Sequence, residues 1–183
     1  DRRQRQMCIR DSIYEDEAYI VVNKPAGIPV HPSMDHYTDS LSNEIAFYFN
    51  QIGLKKKIRP VNRLDKDTSG IVIFAKNEYI QECLVRQMKS KEFIKKYIAV
   101  VNGNLDNLEG TINAPIARKE GSIIERCVSE TGDIAITHYK VLKRKTDFDI
   151  VECILETGRT HQIRVHFAYL GHSLLSDTLY GTS

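Results

Sequence analysis

The 183-residue chain has no run of 18 or more apolar residues, and none of its four cysteines belongs to a Cys-x-x-Cys pair. The first absence excludes a helix that crosses a membrane. The start, DRRQRQMCIRD, also lacks the apolar core of a signal peptide. A soluble, cytoplasmic protein with no membrane partner is therefore expected. Cys8, Cys83, Cys127 and Cys153 are widely separated, each in or beside an apolar stretch. That suits buried, reduced thiols better than a disulfide framework or a zinc site. The six histidines do not rescue a metal site. His31 and His36 fall in an expected loop, His161 and His166 are five apart and off a common helical face, and no cysteine accompanies either pair. No bound structural metal is expected. The chain also shows no internal repeat and no low-complexity segment, and its net charge of +2 is too small to argue for a nucleic-acid partner on its own.

What is present is 42% hydrophobic and 27% charged residue content, enough for one well-filled core. The expected organisation is a tail or linker remnant at residues 1–10 and one folded domain over 11–183. Because the first residue is Asp1, the chain is expected to begin inside a longer product. Its charge is unevenly spread: from Lys55 to Lys96 there are twelve Lys and Arg against five Asp and Glu. Such clustering fits a surface that tracks phosphates, and it equally fits the solvated, lysine-rich faces of ordinary helices.

The pattern of apolar residues outlines the elements. Ala18 to Lys24 is rich in β-branched and aromatic residues and stops at Pro25, which predicts a strand followed by a Pro- and Gly-punctuated loop over 25–33. Asp39 or Ser40 is placed to cap a helix bearing Leu41, Ile45, Tyr48, Phe49 and Ile52, ending near Gly53. Ile71 to Ala75 reads as a buried strand and Glu78 to Ser90 as a helix with Ile80, Leu84, Val85 and Met88 on its inner face. Phe93 to Val101 is a further strand. Gly110 to Ala117, Ser122 to Ser129, Asp133 to Leu142 and Phe148 to Glu156 then read as strands joined by short polar turns. Thr160 is the expected N-cap of a last helix, with Ile163, Phe167 and Leu170 buried and Arg164 on another face. Successive hairpins with a few helices indicate an α+β fold built on a mixed, mostly antiparallel sheet flanked by helices.

The chemistry-bearing stretch is Pro60 to Asn77, PVNRLDKDTSGIVIFAKN. A polar turn carrying Asp65 and Asp67 among Arg63 and Lys66 runs directly into the apolar strand, which pins a carboxylate-bearing loop against the sheet. By composition alone this is either a surface turn or a site that holds one ionised carboxylate.

Its spelling goes further. RLDKDTSG followed by a hydrophobic strand and Ala-Lys-Asn resembles the signature loop of the RluA/RluD-type pseudouridine synthases. VVNKPAGIPVHPS, KKYIAVVNG and LETGRTHQIRVH resemble that family's other motifs, in the same order along the chain. The closing stretch from Gly171 to Gly181 resembles its Gly-His-Pro-Ile-hydrophobic-Gly-Asp-x-x-Tyr-Gly turn, with substitutions. The resemblance runs from about Tyr19 to Gly181, with one departure: Asn62 stands where the family usually has His.

The resemblance implies an RNA pseudouridine synthase, an isomerase without a cofactor, with a central active-site cleft. Asp65 would be the catalytic carboxylate, Arg164 its ion-pair partner and Tyr97 the aromatic residue beside the target base. Arg63, Asn62 and Leu64 of the loop, the lysines Lys55, Lys56 and Lys57, and His161 would contact the RNA. Ribosomal RNA is expected ahead of transfer RNA, and the protein is expected to be a monomer. Family members continue beyond the last motif with a strand and helix region, so the C-terminal end of the domain is expected to be missing here. Two other readings stay open. One is a non-catalytic RNA-binding module of the same fold. The other is a hydrolase acting on a glycosidic bond, which would normally need a second carboxylate, for which Asp67 is the candidate.

Overall fold

The structure, a computed structural model, describes residues 12–33, 36–90 and 92–181. The expected tail at residues 1–10, with Cys8, and the side chain of Lys91 lie outside the described residues. The chain divides into two compact units, Asp1–Phe93 and Ile94–Ser183.

The first unit contains β1 (Ser12–Glu15), β2 (Tyr19–Lys24), α1 (Leu41–Gln51), β3 (Arg59–Pro60), β4 (Gly70–Ala75) and α2 (Glu78–Lys89). Its strands form one antiparallel sheet in the order β1-β2-β4-β3. The unbroken apolar spelling of β4 follows from its position: it is an inner strand covered on both faces. Val72 and Phe74 pack with Ile20 and Val22 against Leu41, Ile45 and Phe49 of α1. Ile73 and Ala75 point the other way, into a cluster with Val61 and with Ile80, Leu84, Val85 and Met88 of α2. Period-2 alternation places successive side chains on opposite faces, so a strand buried on both sides needs apolar residues at every position.

Both helices begin at side-chain caps. Ser40 and Asn43 form a reciprocal capping box at the start of α1. Asn77 accepts from the backbone N–H of Ile80 at the start of α2. Past α1, Gly53 takes a positive φ of 77° and turns the chain away. Ile52, expected on the inner face of α1, is exposed because it already sits at the C-cap.

The second unit contains β5 (Lys95–Asn102), β6 (Glu109–Asn113), β7 (Ile116–Arg118), β8 (Arg126–Val128), β9 (Ile136–Arg144), β10 (Phe148–Leu155) and α3 (Gln162–Tyr169). A four-stranded antiparallel sheet runs β5-β10-β9-β6, and β7 and β8 make a separate two-stranded ribbon. Ala99, Val101, Ile112, Val151 and Cys153 line the buried face of the larger sheet, with Phe167 of α3 among them.

The α+β class and the antiparallel pairing are as expected, with the strands distributed over three sheets. The larger differences are in the following elements. The strand expected over 110–117 is two strands, because Pro115 has no N–H to continue a ladder and the chain turns there. The strand expected over 122–129 shrinks to Arg126–Val128, and Ile123 and Ile124 stand exposed in the loop before it. The N-cap position of the last helix is His161 rather than Thr160; it lies in the left-handed region at φ 59° and makes no side-chain capping hydrogen bond. Its buried face is Gln162, Val165, His166 and Phe167, while Leu170 is exposed. The short strands β1 and β3 were not anticipated.

Among the described cysteines only Cys153 is buried; Cys83 and Cys127 are half-buried, and Cys83 lies on a helix that buries no residue completely. Among the described residues no helix is long and apolar enough to cross a membrane.

Candidate functional site

In the first unit, the Asn62–Gly70 loop is held from several sides. Leu64 packs against the core shared by β2, β4 and α1, and its side chain lies beside Gly70. Asn62 donates from Nδ2 to the Ile71 carbonyl at 2.9 Å and accepts at Oδ1 from the Ile73 N–H at 2.9 Å. Its amide thereby extends the pairing of β4 beyond the last residue of β3. A turn closes with the Thr68 N–H donating to the Asp65 carbonyl at 3.1 Å. Asp65 is half-buried in this turn, and Arg63, Lys66 and Asp67 are exposed.

The strongest anchor of the loop is Lys24, which was not singled out in the sequence. It has no exposed surface, and its ammonium donates to the carbonyls of Pro25, Ile28 and Lys66 at 2.9, 2.7 and 2.8 Å. The Gly27 N–H also donates to the Lys66 carbonyl, at 2.9 Å. One buried cation thus ties the Pro25–Ile28 loop to the residue next to Asp65. Burial lowers the pKa of Lys24, and the negative charges of Asp67 and Asp65 oppose that shift. Lys55, Lys56 and Lys57 are all exposed.

In the second unit, Tyr97 lies on β5 on the same face as Ala99 and Val101, half-buried and packed against the core. Lys95 is on that face too, and donates to the Thr157 carbonyl at 3.2 Å. Burial lowers its pKa.

Arg164 projects from α3 to the turn that follows. Its Nε donates to Asp177 Oδ2 at 2.7 Å and its Nη2 to Asp177 Oδ1 at 2.8 Å, a two-pronged pair. The Asp177 carboxylate also accepts from the N–H groups of Leu179 and Tyr180. Burial alone would raise its pKa, yet the hydrogen bonds from Arg164 and the two backbone N–H groups outweigh burial and hold it at about 2. The guanidinium lies over the Tyr180 ring, 4.9 Å from its centroid. The Tyr180 oxygen accepts from the Arg126 N–H at 2.9 Å and is 2.7 Å from His161 Nδ1. His161, at the N-cap position of α3, is therefore bound into the same cluster as Arg164, both against Tyr180.

The helix is fixed from beneath by a polar core. Gln162 Nε2 donates to the Ile136 carbonyl and to Thr137 Oγ1, and its Oε1 accepts from Thr157 and from the Arg159 N–H. His166, fully buried, is 2.9 Å from both Thr137 Oγ1 and the Ala114 carbonyl. A carbonyl can only accept, so Nε2 carries the proton and Nδ1 accepts from the Thr137 hydroxyl. Burial lowers the pKa of His166, against the smaller raising effect of the Ala114 carbonyl.

No group of three His, Cys, Asp or Glu residues among those described is arranged to hold a metal ion. Burial pushes the Cys153 thiol up to about 12, which is incompatible with a thiolate nucleophile.

Lys24, Asp177, Tyr180, Gln162 and His166 are the parts of this machinery that were not read as functional in the sequence. The Gly-Asp-x-x-Tyr-Gly spelling carried a usable signal for Asp177 and Tyr180. Lys24 had only its place in the VVNKPAGIPVHPS stretch at the end of a strand.

Comparison with known proteins places this arrangement. The family model for RNA pseudouridylate synthase matches residues 18–169. The Bacillus subtilis (strain 168) protein named uncharacterized RNA pseudouridine synthase YhcT is 45% identical over 173 residues, covering 93% of this chain and 57% of the relative. The Xylella fastidiosa ribosomal large subunit pseudouridine synthase D is 42% identical over 173 residues, with 94% and 52% covered. The solved structure of human RNA pseudouridylate synthase domain containing 1 superimposes with a TM-score of 0.77 at 26% identity, covering 94% of this chain and 69% of that one. The chain belongs to the RNA pseudouridylate synthase family, and it spans little more than half the length of these curated relatives.

Proposed function

We propose that the protein is an RNA pseudouridine synthase that uses Asp65 as its catalytic carboxylate. The observation that carries this is the RLDKDTSG loop held rigidly against β4, with Leu64 in the core and Lys24 bonded to the neighbouring Lys66 carbonyl, in a chain of this family. The reaction breaks the bond between the uracil nitrogen and the ribose, turns the base and joins its carbon 5 to the sugar. Nothing is oxidised or reduced and no group is transferred from outside. An ionised carboxylate serves this as nucleophile at the sugar or the base, or as the base that removes a sugar proton. Each role needs Asp65 deprotonated.

A planar guanidinium stabilises and orients that anion better than an ammonium does, and Arg164 is its proposed partner. Tyr97 supplies an aromatic wall for the uracil, with its hydroxyl available near carbon 5. A stacked uridine cannot be reached, so it must be turned out of its helix at a cost of roughly a few kcal/mol. The exposed Arg63 is suited to the space it leaves. Exposed Lys55, Lys56 and Lys57 add sequence-independent attraction to phosphates. The relatives named as ribosomal large subunit synthases favour ribosomal RNA as substrate. A cytoplasmic monomer completes this proposal.

The test is to incubate the intact protein with large-subunit ribosomal RNA transcripts, digest the RNA and measure pseudouridine by chromatography. Pseudouridine at defined uridines is expected. RNA binding with no product at any uridine would instead favour the non-catalytic binding module.

A further inference from the structure

Arg164 is gripped within its own unit before any substrate is considered. Asp177 engages its Nε at 2.7 Å and its Nη2 at 2.8 Å, and the Tyr180 ring covers one face of the guanidinium. The gripping carboxylate is itself immobile: its side chain is 4% exposed, and Oδ1 also accepts from the N–H groups of Leu179 and Tyr180 at 2.9 and 3.1 Å. Tyr180 is fixed in turn by the Arg126 N–H and by His161. Asp177 takes the side-on edge of the guanidinium, formed by Nε and Nη2.

We propose that Asp177 is the positioning residue of the site, holding the fork of Arg164 at one place and one rotation before substrate binds. This rests on the assignment of Asp65 and Arg164 made above. A long side chain on an eight-residue helix would otherwise have to be ordered during the reaction. With Asp177 in place, that ordering is complete when the protein folds, which is the advantage of a preorganised charge. A purely structural Asp177 would only fasten the 177–180 turn to α3, and its loss would lower stability without singling out the chemical step.

The test is single-turnover kinetics with the intact protein and an RNA transcript tritiated at carbon 5 of uridine, alongside RNA affinity and thermal midpoint. Four proteins are compared: wild type, Asp177→Asn, Arg164→Ala and the double variant. Asp177→Asn keeps an oxygen for the Leu179 and Tyr180 N–H groups but removes the charge and one acceptor. It is expected to slow the reaction at saturating RNA by about 100-fold, as misplacement of a reacting group does. RNA affinity should stay within about threefold, and the double variant should be no slower than Arg164→Ala, since coupled residues are non-additive. A wild-type rate in Asp177→Asn, or a defect that multiplies with that of Arg164→Ala, overturns the proposal. If Asp177→Asn folds poorly, Arg164→Lys gives the same information, because an ammonium keeps the charge but cannot span both oxygens. It should be as slow as Arg164→Ala, and a wild-type rate there overturns the proposal. A wild-type rate in Arg164→Ala has a different meaning: it removes Arg164 from the chemistry and overturns the underlying site assignment as well.

Discussion

A lysine with no exposed surface stays in a protein only if its ammonium is fully used, and Lys24 meets that condition with three carbonyl acceptors. Lys24→Met keeps the apolar stem and removes the donor, leaving part of that acceptor set unsatisfied. A loss of about 3 kcal/mol is expected in urea unfolding. A change below about 1 kcal/mol would show that the ammonium does not hold the loop. His166 makes the second prediction at this scale. The folded protein keeps its ring neutral, with a lowered pKa, while the unfolded chain takes up a proton below about pH 6.5. Stability from His166 is therefore complete above that pH and declines as pH falls below it. His166→Gln should be less stable at pH 8 and show a weaker acid-side decline between pH 6.5 and 5; an unchanged decline would contradict the assignment. Neither residue was legible from spacing. A lysine at the end of a strand reads as solvated, and a histidine on a helix gives no sign that Thr137 and Ala114 lie ready to satisfy both ring nitrogens.

At the scale of elements, β4 is the most readable part of the chain because from Val72 to Ala75 both faces are buried and each position reports it, while Ile71 is exposed. The α3 face is legible only in part, for the opposite reason. Phe167 is buried and Ile163 packs against the core as its spacing implies, but Gln162 and His166 are polar and give no apolar signal, and Leu170 is exposed. The Gly110–Ala117 strand failed at Pro115, whose missing N–H should have divided it. The loop-to-strand junction is set by Gly70, at φ 128°, where other residues are strained. A Cβ added there would meet only Leu64, at 3.7 Å, so the cost of substitution lies in the backbone and not in crowding. Gly70→Ala should lose about 1–3 kcal/mol of stability in denaturant titration. No loss would mean that the junction relaxes to an ordinary conformation.

For the molecule as a whole, the motifs identified the family, whereas the energetics that hold each functional side chain required coordinates. The RLD loop, the KKY strand and the GRTHQIR helix were recognised as linear spellings, each within one unit. The supports that give them rigidity come from distant sequence: Lys24 for the loop, Asp177 for Arg164, Thr137 for α3. Such long-range hydrogen bonds leave no periodic trace. The central claim is that one carboxylate, Asp65, performs the isomerisation. The most direct measurement is tritium release from 5-tritiated RNA by the intact Asp65→Asn protein under single-turnover conditions, with RNA affinity measured on the same samples. The expected result is no release above background with RNA affinity close to wild type; release at a wild-type rate would contradict the assignment.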